Sequence, residues 1–264
     1  MTMIFNVRLL LEYDGTNFHG WQRQANLPTI QATLEDVLSR ITKQTIKVAG
    51  AGRTDAGVHA AGQVANFKSA LKLAEPSWVK AINSLLPQDI RIKSTEYVPT
   101  EFHARYSAKS KVYQYLILNS EQSSPFLRNY VWHIKQPLGI SFMKEATEYL
   151  IGTHDFSSFR ASACGAKSPV RTLDRLEIVT DGDTSRIFLK NMGSAPRLIV
   201  FTFEARSYLQ HMVRNIVGTL AEVGRGKLHS SDVRDILEKK DRRHAGPIAS
   251  PQGLFLVEIK YDYI

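Results

Sequence analysis

Apolar and polar positions along the first 108 residues predict alternating strands and helices. Residues 5–13 carry β-forming side chains and end at the turn pair Asp14-Gly15. Between residues 29 and 41 the apolar side chains recur at helical spacing. The same pattern predicts strands at 45–50, 63–68 and 90–98, and a helix that begins at Pro76 and stops before Pro87. The predicted order is β-α-β-β-α-β, a split-βαβ arrangement with an antiparallel sheet and two helices on one face.

The same order recurs in the second part of the chain. Strands are predicted at 110–118, 172–180, 186–190, 197–205 and 254–261, and helices at 141–151, 209–223 and 231–239. Apart from one added strand and the third helix, this is again βαββαβ. We therefore expect an α+β fold of two similar halves, 1–108 and 109–264, joined into one continuous, mainly antiparallel sheet with helices on one face. A cleft between two such halves is a natural place for a catalytic site.

The composition adds a basic charge to this picture. The 264 residues include 34 Lys and Arg against 25 Asp and Glu, a formal net charge of +9, and the pI is about 9.6. This balance suits a polyanionic partner, most simply RNA or DNA, although a merely basic protein has the same composition. The hydrophobic share of 43% is typical of globular chains and excludes a disordered or fibrous one.

The sequence carries no signal for a membrane or for an oxidising compartment. No apolar run approaches the roughly 18 residues of a membrane span. The N-terminal apolar stretch is interrupted by Arg8 and Glu12 and lacks a small-residue cleavage site, so we expect a strand there rather than a signal peptide. Cys164 is the only cysteine, which excludes an internal disulfide and a multi-cysteine zinc site. We expect a cytoplasmic protein.

The loop GAGRTDAGVHA, residues 50–60, is the most informative stretch for chemistry. It places one carboxylate, Asp55, among glycines and alanines, with an arginine and a hydroxyl beside it. Small neighbours allow a ligand or another backbone to approach closely, and loops held by strands often carry reactive groups. A glycine-rich turn in which Asp55 caps its own backbone is the alternative that the residues leave open. The phosphate-loop and dinucleotide-binding patterns are both absent.

The segment GRTDAGVHA closely resembles the catalytic loop of the TruA family, the tRNA pseudouridine(38–40) synthases. Further motifs of that family follow in order across nearly the whole chain. They are EYDGTNFHGWQRQ (12–24), FHARYSA (102–108), YQY (113–115), DFSSFRA (155–161), HMVRNIVG (211–218) and GLFLVEI (253–259). Nine consecutive matching letters with six ordered companions are far more specific than one short motif.

This resemblance implies roles for five residues. Asp55 is the nucleophile, and Arg214 is the cation that pairs with it. Tyr113 stacks on the target base and accepts or relays its C5 proton. Arg53 stacks or holds phosphate where the uridine leaves the helix, and Arg105 has a supporting role. The residues themselves leave two simpler roles open, namely an exposed helix cation for Arg214 and a salt-bridge partner for Arg53.

The implied reaction turns uridine into pseudouridine without a cofactor or a metal, because it is redox-neutral and consumes no water. It requires a nucleophile for a covalent intermediate, and an ionised carboxylate can attack either C1′ of the ribose or C6 of the base. The expected substrate is tRNA, at positions 38–40 of the anticodon stem-loop. The family also implies a homodimer in which one tRNA touches both subunits.

Two other functions fit parts of the sequence less well. A non-catalytic tandem RNA-binding module shares the βαββαβ order, but its aromatic strand signature is missing. A metal-dependent nuclease requires clustered carboxylates, whereas the loop offers Asp55 alone. No pair of histidines has the spacing of metal ligands. Trp21, which lies near Arg23, is a candidate for contact with RNA.

Overall fold

The computed structural model describes residues 3–181 and 197–262, and these residues form an α+β fold. They contain ten strands, with mixed but mostly antiparallel pairing, and five α-helices. The contacts divide them into two compact units, residues 3–111 with 255–262 and residues 112–254. The α+β class is confirmed. The domain boundary at residue 108 stays a prediction, and the last strand is grouped with the first unit.

The first part of the chain has the predicted β-α-β-β-α-β order. Its elements are β1 (Phe5–Tyr13), α1 (Ile30–Thr42), β2 (Val48–Gly50), β3 (His59–Ser69), α2 (Glu75–Asn83) and β4 (Ile90–Val98). β1 pairs antiparallel with β3 on one side and with β4 on the other. From Val7 to Tyr13 every second residue of β1 is buried, and Thr29 caps α1 by accepting a hydrogen bond from the backbone N–H of Ala32.

The later part contains more strands than the βαββαβ pattern predicts. Its elements are β5 (Ala108–Asn119), β6 (Trp132–Ile134), α3 (Ile140–Thr147), β7 (Gly152–Asp155), β8 (Val170–Asp181), β9 (Arg197–Ala205), α4 (Met212–Gly224), α5 (Asp232–Lys239) and β10 (Leu254–Tyr261). β6 and β7 were not predicted, since three or four residues carry too short a pattern. In the second unit β9 lies between β5 and β8, and β7 pairs with β8. The predicted strand at 186–190 lies outside the described residues.

β3 begins four residues earlier than the sequence predicts. The sequence predicts this strand from residue 63, but His59 and Ala60 pair in parallel with the start of β10, and Ala60 pairs with β1. A Cβ at Gly62 would overlap the carbonyl oxygen of Val257 in β10. This glycine is therefore required by the close approach of a strand that lies almost 200 residues further along the chain, and not by a turn.

Candidate active site

The loop that carries Asp55 is held in place by the segment between β1 and α1. The backbone N–H of Trp21 donates to the Thr54 carbonyl at 3.0 Å, and the N–H of Gly57 donates to the Phe18 carbonyl at 3.3 Å. Asp55 itself lies in a tight turn, where its carbonyl accepts from the N–H of Val58 at 3.2 Å. The motif at 12–24 and the loop therefore form one local structure.

Two glycines of this segment make the close approach possible. A Cβ at Gly15 would overlap the carbonyl group of Val58, and a Cβ at Gly20 would lie 2.5 Å from the Thr54 carbonyl oxygen. Gly20 also has a φ of +83°, which L-residues with side chains rarely adopt. Backbone at both positions has to come within contact distance of the loop, and only glycine allows this.

Buried polar side chains form hydrogen bonds with the loop and hold it in place. The Tyr13 hydroxyl lies 2.8 Å from Thr54 Oγ1. Gln63 donates to the Gly52 carbonyl at 2.8 Å and accepts from the Gly52 N–H at 3.3 Å. Burial raises the pKa of Tyr13 to about 12, so its hydroxyl stays protonated at physiological pH. Because buried polar groups are costly unless they are hydrogen-bonded, these contacts give the loop one conformation.

Trp21 is buried with only 2% of its surface exposed, so the prediction that it faces RNA is wrong. Its indole fills the space over Gly50, where a Cβ would overlap the ring. Burial removes this large apolar surface from water at the base of the loop. A single tryptophan beside charged residues gives no local signal of which way its ring points.

Along the loop, Thr54 is buried, Asp55 is partly buried and Arg53 is exposed. Thr54 points into the polar cluster with Tyr13. Within the described residues Arg53 has no ion-pair partner, so the salt-bridge role that the sequence left open for it is not observed. Arg105 is also exposed and lies in the turn before β5. Asp55, Arg53 and Arg105 all belong to the first unit.

Lys111 is a residue of this region that the sequence analysis missed. Its Nζ donates to the Ala51 carbonyl at 2.6 Å, which connects β5 to the start of the loop. Burial, and after it the positive charge of Arg105, lowers the pKa of Lys111 to about 8. A lysine in a strand is usually solvated, so the sequence offered no signal for this contact.

Tyr113 lies in the second unit and is buried with 7% of its surface exposed. Its ring meets the ring of Tyr208 edge to face, with the centroids 5.1 Å apart. Burial, followed by the neighbouring Tyr113, raises the pKa of Tyr208 well above its ordinary value. Sequence analysis missed Tyr208, although it lies three residues before the motif HMVRNIVG.

Arg214 lies on α4, whose other residues are all buried. It is only partly exposed, and its Nε donates to the Ala249 carbonyl at 2.8 Å, while the Ala249 N–H donates to the Arg214 carbonyl at 3.1 Å. Arg214 is therefore not an exposed helix cation. The adjoining Ser250 carbonyl accepts from the Tyr115 hydroxyl at 2.7 Å, so one short segment anchors both side chains. Tyr115 itself is fully buried.

In the part of the chain that the structure describes, no group of three or more His, Cys, Asp or Glu side chains is placed to hold a metal ion. The helices of residues 3–181 and 197–262 are all too short or too polar to cross a membrane.

Comparisons with known proteins agree with these sequence motifs. A sequence model of the family described as tRNA pseudouridine synthase matches residues 10–107 and 146–262. The chain is 47% identical to tRNA pseudouridine synthase A of Thermoanaerobacter sp. (strain X514) over 256 residues, which cover 97% of this chain and 99% of the relative. The protein of the same name from Acetivibrio thermocellus is 43% identical with the same coverage. That from Pseudoalteromonas atlantica is 44% identical over 97% of this chain and 92% of its own length.

Proposed function

Because the chain belongs to the tRNA pseudouridine synthase family, we propose that it isomerises uridine to pseudouridine at positions 38–40 of the tRNA anticodon stem-loop, with Asp55 as the nucleophile. The observation that carries this proposal is the construction of the Asp55 loop. Hydrogen bonds from the 13–21 segment and from Gln63 hold the backbone, while Asp55 is only partly buried. A rigidly held nucleophile has little freedom to lose when the substrate binds.

The reaction exchanges one glycosidic bond for another. The bond from uracil N1 to ribose C1′ breaks, the base turns, and a bond from C5 to C1′ forms. The hydrogen on C5 leaves as a proton and N1 gains one, so the reaction is balanced without an oxidant, a reductant or water. The Asp55 carboxylate forms the covalent intermediate, by attack at C1′ or at C6.

We assign Arg214 the task of keeping Asp55 ionised while the substrate excludes water. A nearby guanidinium favours the charged form of a carboxylate. The contact of Nε with Ala249 supports this assignment, because it fixes the plane of the guanidinium group. The buried environment of α4 supports it as well, since the attraction between a cation and a carboxylate is stronger where solvent is excluded.

We assign Tyr113 the role of contacting the target uracil base. A flat ring with a hydroxyl can both stack on uracil and relay the C5 proton. The edge-to-face contact with Tyr208 supports this role, since it restricts the ring to one orientation. Arg53 is exposed on the same loop as Asp55, which suits a cation that enters the space left by the flipped uridine or binds its phosphate. Arg105 supports binding of the RNA.

The expected assembly is a homodimer in the cytoplasm, with one tRNA contacting both subunits. The net charge of +9 supports binding to a long polyanion. The homodimer rests on the resemblance to the family, and the cytoplasmic location on the sequence signals described above.

The decisive experiment compares wild type with Asp55→Asn, which keeps the shape of the side chain and removes its charge. Each protein is incubated with unmodified tRNA, and pseudouridine is mapped by chemical labelling. We expect modification at positions 38–40 by the wild type only, with tRNA binding retained in the variant. Asp36→Asn, at an exposed carboxylate of α1, is the matched control and should behave like the wild type.

Two results would contradict the proposal. Full activity of Asp55→Asn would exclude Asp55 as the nucleophile. Binding of tRNA without any pseudouridine formation by the wild type would instead support the non-catalytic RNA-binding module.

A further inference from the structure

The turn before β5, residues 103–107, is closed by hydrogen bonds within itself. The Ser107 N–H donates to the His103 carbonyl at 2.9 Å, and the His103 N–H donates to the Ser107 hydroxyl oxygen at 3.1 Å. Inside the turn, the Arg105 N–H donates to His103 Nδ1 at 3.1 Å. The turn is therefore a defined structure and not a loose connection.

Buried side chains of the first unit hold the backbone that leads into this turn. Asn6 donates to the Phe102 carbonyl at 2.9 Å, and Asn66 accepts from the Ala104 N–H at 2.9 Å. The two asparagines are hydrogen-bonded to each other, and the Tyr261 hydroxyl donates to the Ala104 carbonyl at 2.7 Å. Polar groups in a sheet interior are costly unless they are satisfied, and here their partners belong largely to this one segment.

What this scaffold presents to solvent is an aromatic ring with a cation beside it. Tyr106 has 73% of its surface exposed. The His103 ring lies 4.4 Å from the Tyr106 ring, centroid to centroid, and the Arg105 guanidinium carbon lies 5.7 Å from the Tyr106 centroid. The ring buries little surface within the protein, so packing does not account for a tyrosine at this position.

The turn is connected to the Asp55 loop within the same unit. Arg105 is close enough to Lys111 to lower its pKa, and the Nζ of Lys111 donates to the Ala51 carbonyl, four residues before Asp55. Arg53 adds a further exposed cation to this loop. The turn that carries the exposed ring is therefore linked, through Arg105 and Lys111, to the start of the loop that carries the proposed nucleophile.

We propose that Tyr106 is a stacking platform for an unpaired nucleotide of the bound tRNA that flanks the modified uridine, while Arg105 contacts a phosphate of the same strand. This inference rests on the proposed function for the identity of the RNA. Every base has a π-face, so stacking on an exposed aromatic ring binds single-stranded segments with little sequence preference. An arginine beside the ring adds a cation for the backbone.

The test replaces Tyr106 with Ala, Leu, Phe and Trp, and measures binding to an anticodon stem-loop RNA. The RNA carries 2-aminopurine in place of a nucleotide next to the target uridine, because fluorescence of this base is quenched when it stacks. Phe126→Ala is the matched control, since Phe126 is a comparably exposed aromatic residue in the other unit. Thermal unfolding of each variant is recorded in parallel.

We expect Tyr106→Ala and Tyr106→Leu to lose the quenching and to raise Kd and KM by about five- to one-hundred-fold, with little change in kcat. Tyr106→Phe and Tyr106→Trp should retain both properties, and Phe126→Ala should match the wild type. The loss with Leu separates stacking on a π-face from simple apolar packing. If Tyr106→Ala unfolds at a lower temperature, the comparison of Leu with Phe carries the test.

Failure of this inference and failure of the proposed function give different results. Normal pseudouridine formation with unchanged Kd and quenching in Tyr106→Leu would overturn the platform and leave the reaction intact. Quenching that depends on Tyr106, in a wild-type protein that forms no pseudouridine, would support the platform and contradict the reaction.

Discussion

Lys111 keeps a titratable amine in an environment that disfavours its charge. Its pKa is lowered from 10.5 to about 8, first by burial and then by Arg105. Between these two pH values the unfolded chain binds more protons than the folded one, so the free energy of unfolding rises with pH across that window. Below about pH 8 the amine is protonated in both states, and its charge then reduces the stability of the fold.

Replacing Lys111 with Met removes this titration. We expect the difference in melting temperature, wild type minus Lys111→Met, to shift in favour of the wild type between about pH 7.5 and about pH 9.5. Thermal denaturation of both proteins at matched ionic strength measures it. Lys68→Met, at an exposed lysine of β3, is the control. The same difference at both pH values would show that burial does not perturb Lys111.

At the scale of elements, the Asp55 loop depends on a second loop that is distant from it in the sequence. The backbone of Gly20 and Trp21 contacts the backbone of the Asp55 loop, and α1 begins only nine residues after Trp21. Gly20 has to adopt a positive φ, and it also has to leave room for the Thr54 carbonyl group. Gly226 also has a positive φ but no such close neighbour, so the two requirements can be tested separately.

Gly20→Ala and Gly226→Ala form a matched pair. Both glycines have positive φ, +83° and +72°, but a Cβ at Gly226 meets nothing within 4 Å. We expect both variants to lose about 1 kcal/mol or more of stability from backbone strain. Only Gly20→Ala should also lose pseudouridine formation, because its Cβ displaces Thr54 next to Asp55. Initial rates measure the activity and denaturant unfolding measures the stability. Equal activity of the two variants would show that the close approach of Gly20 to Thr54 is not needed for the reaction.

At the scale of the whole molecule, the formal net charge of +9 favours association with a polyanion such as RNA. Each phosphate that a basic side chain neutralises releases counterions, which makes binding dependent on salt. Exposed cations of the first unit, Arg53 and Arg105 among them, are available for such contacts.

We expect the affinity for tRNA to fall at least about tenfold between 50 and 200 mM monovalent salt, the response of two or more phosphate contacts. Titrations monitored by fluorescence anisotropy at four salt concentrations give the slope of log Kd against log salt. A slope near zero would mean that the basic charge plays no part in binding tRNA.

The local pattern of apolar and polar residues was sufficient to predict the secondary structure of segments whose own residues decide it. The strands 5–13, 90–98 and 254–261 are confirmed at the residues predicted, and α1 begins within one residue of its prediction. In these segments, β-rich composition, apolar periodicity and the capping residue Thr29 all favour the same structure. The candidate residues Asp55, Arg53 and Arg105 were found through contiguous motifs, and their assembly with Tyr113 and Arg214 into one site stays a proposal.

The sequence by itself therefore determined the alternation of strands and helices, the basic charge and the motifs of the family. None of these depends on which distant residues come into contact in the fold. Tertiary structure alone decided the burial of Trp21, the start of β3 at His59 and the contact of Lys111 with Ala51. Each of those outcomes depends on a partner many residues away in the sequence. Secondary-structure propensity and hydrophobic periodicity do not take such partners into account. The free energy of burial and backbone pairing chose among conformations that the local sequence left equivalent.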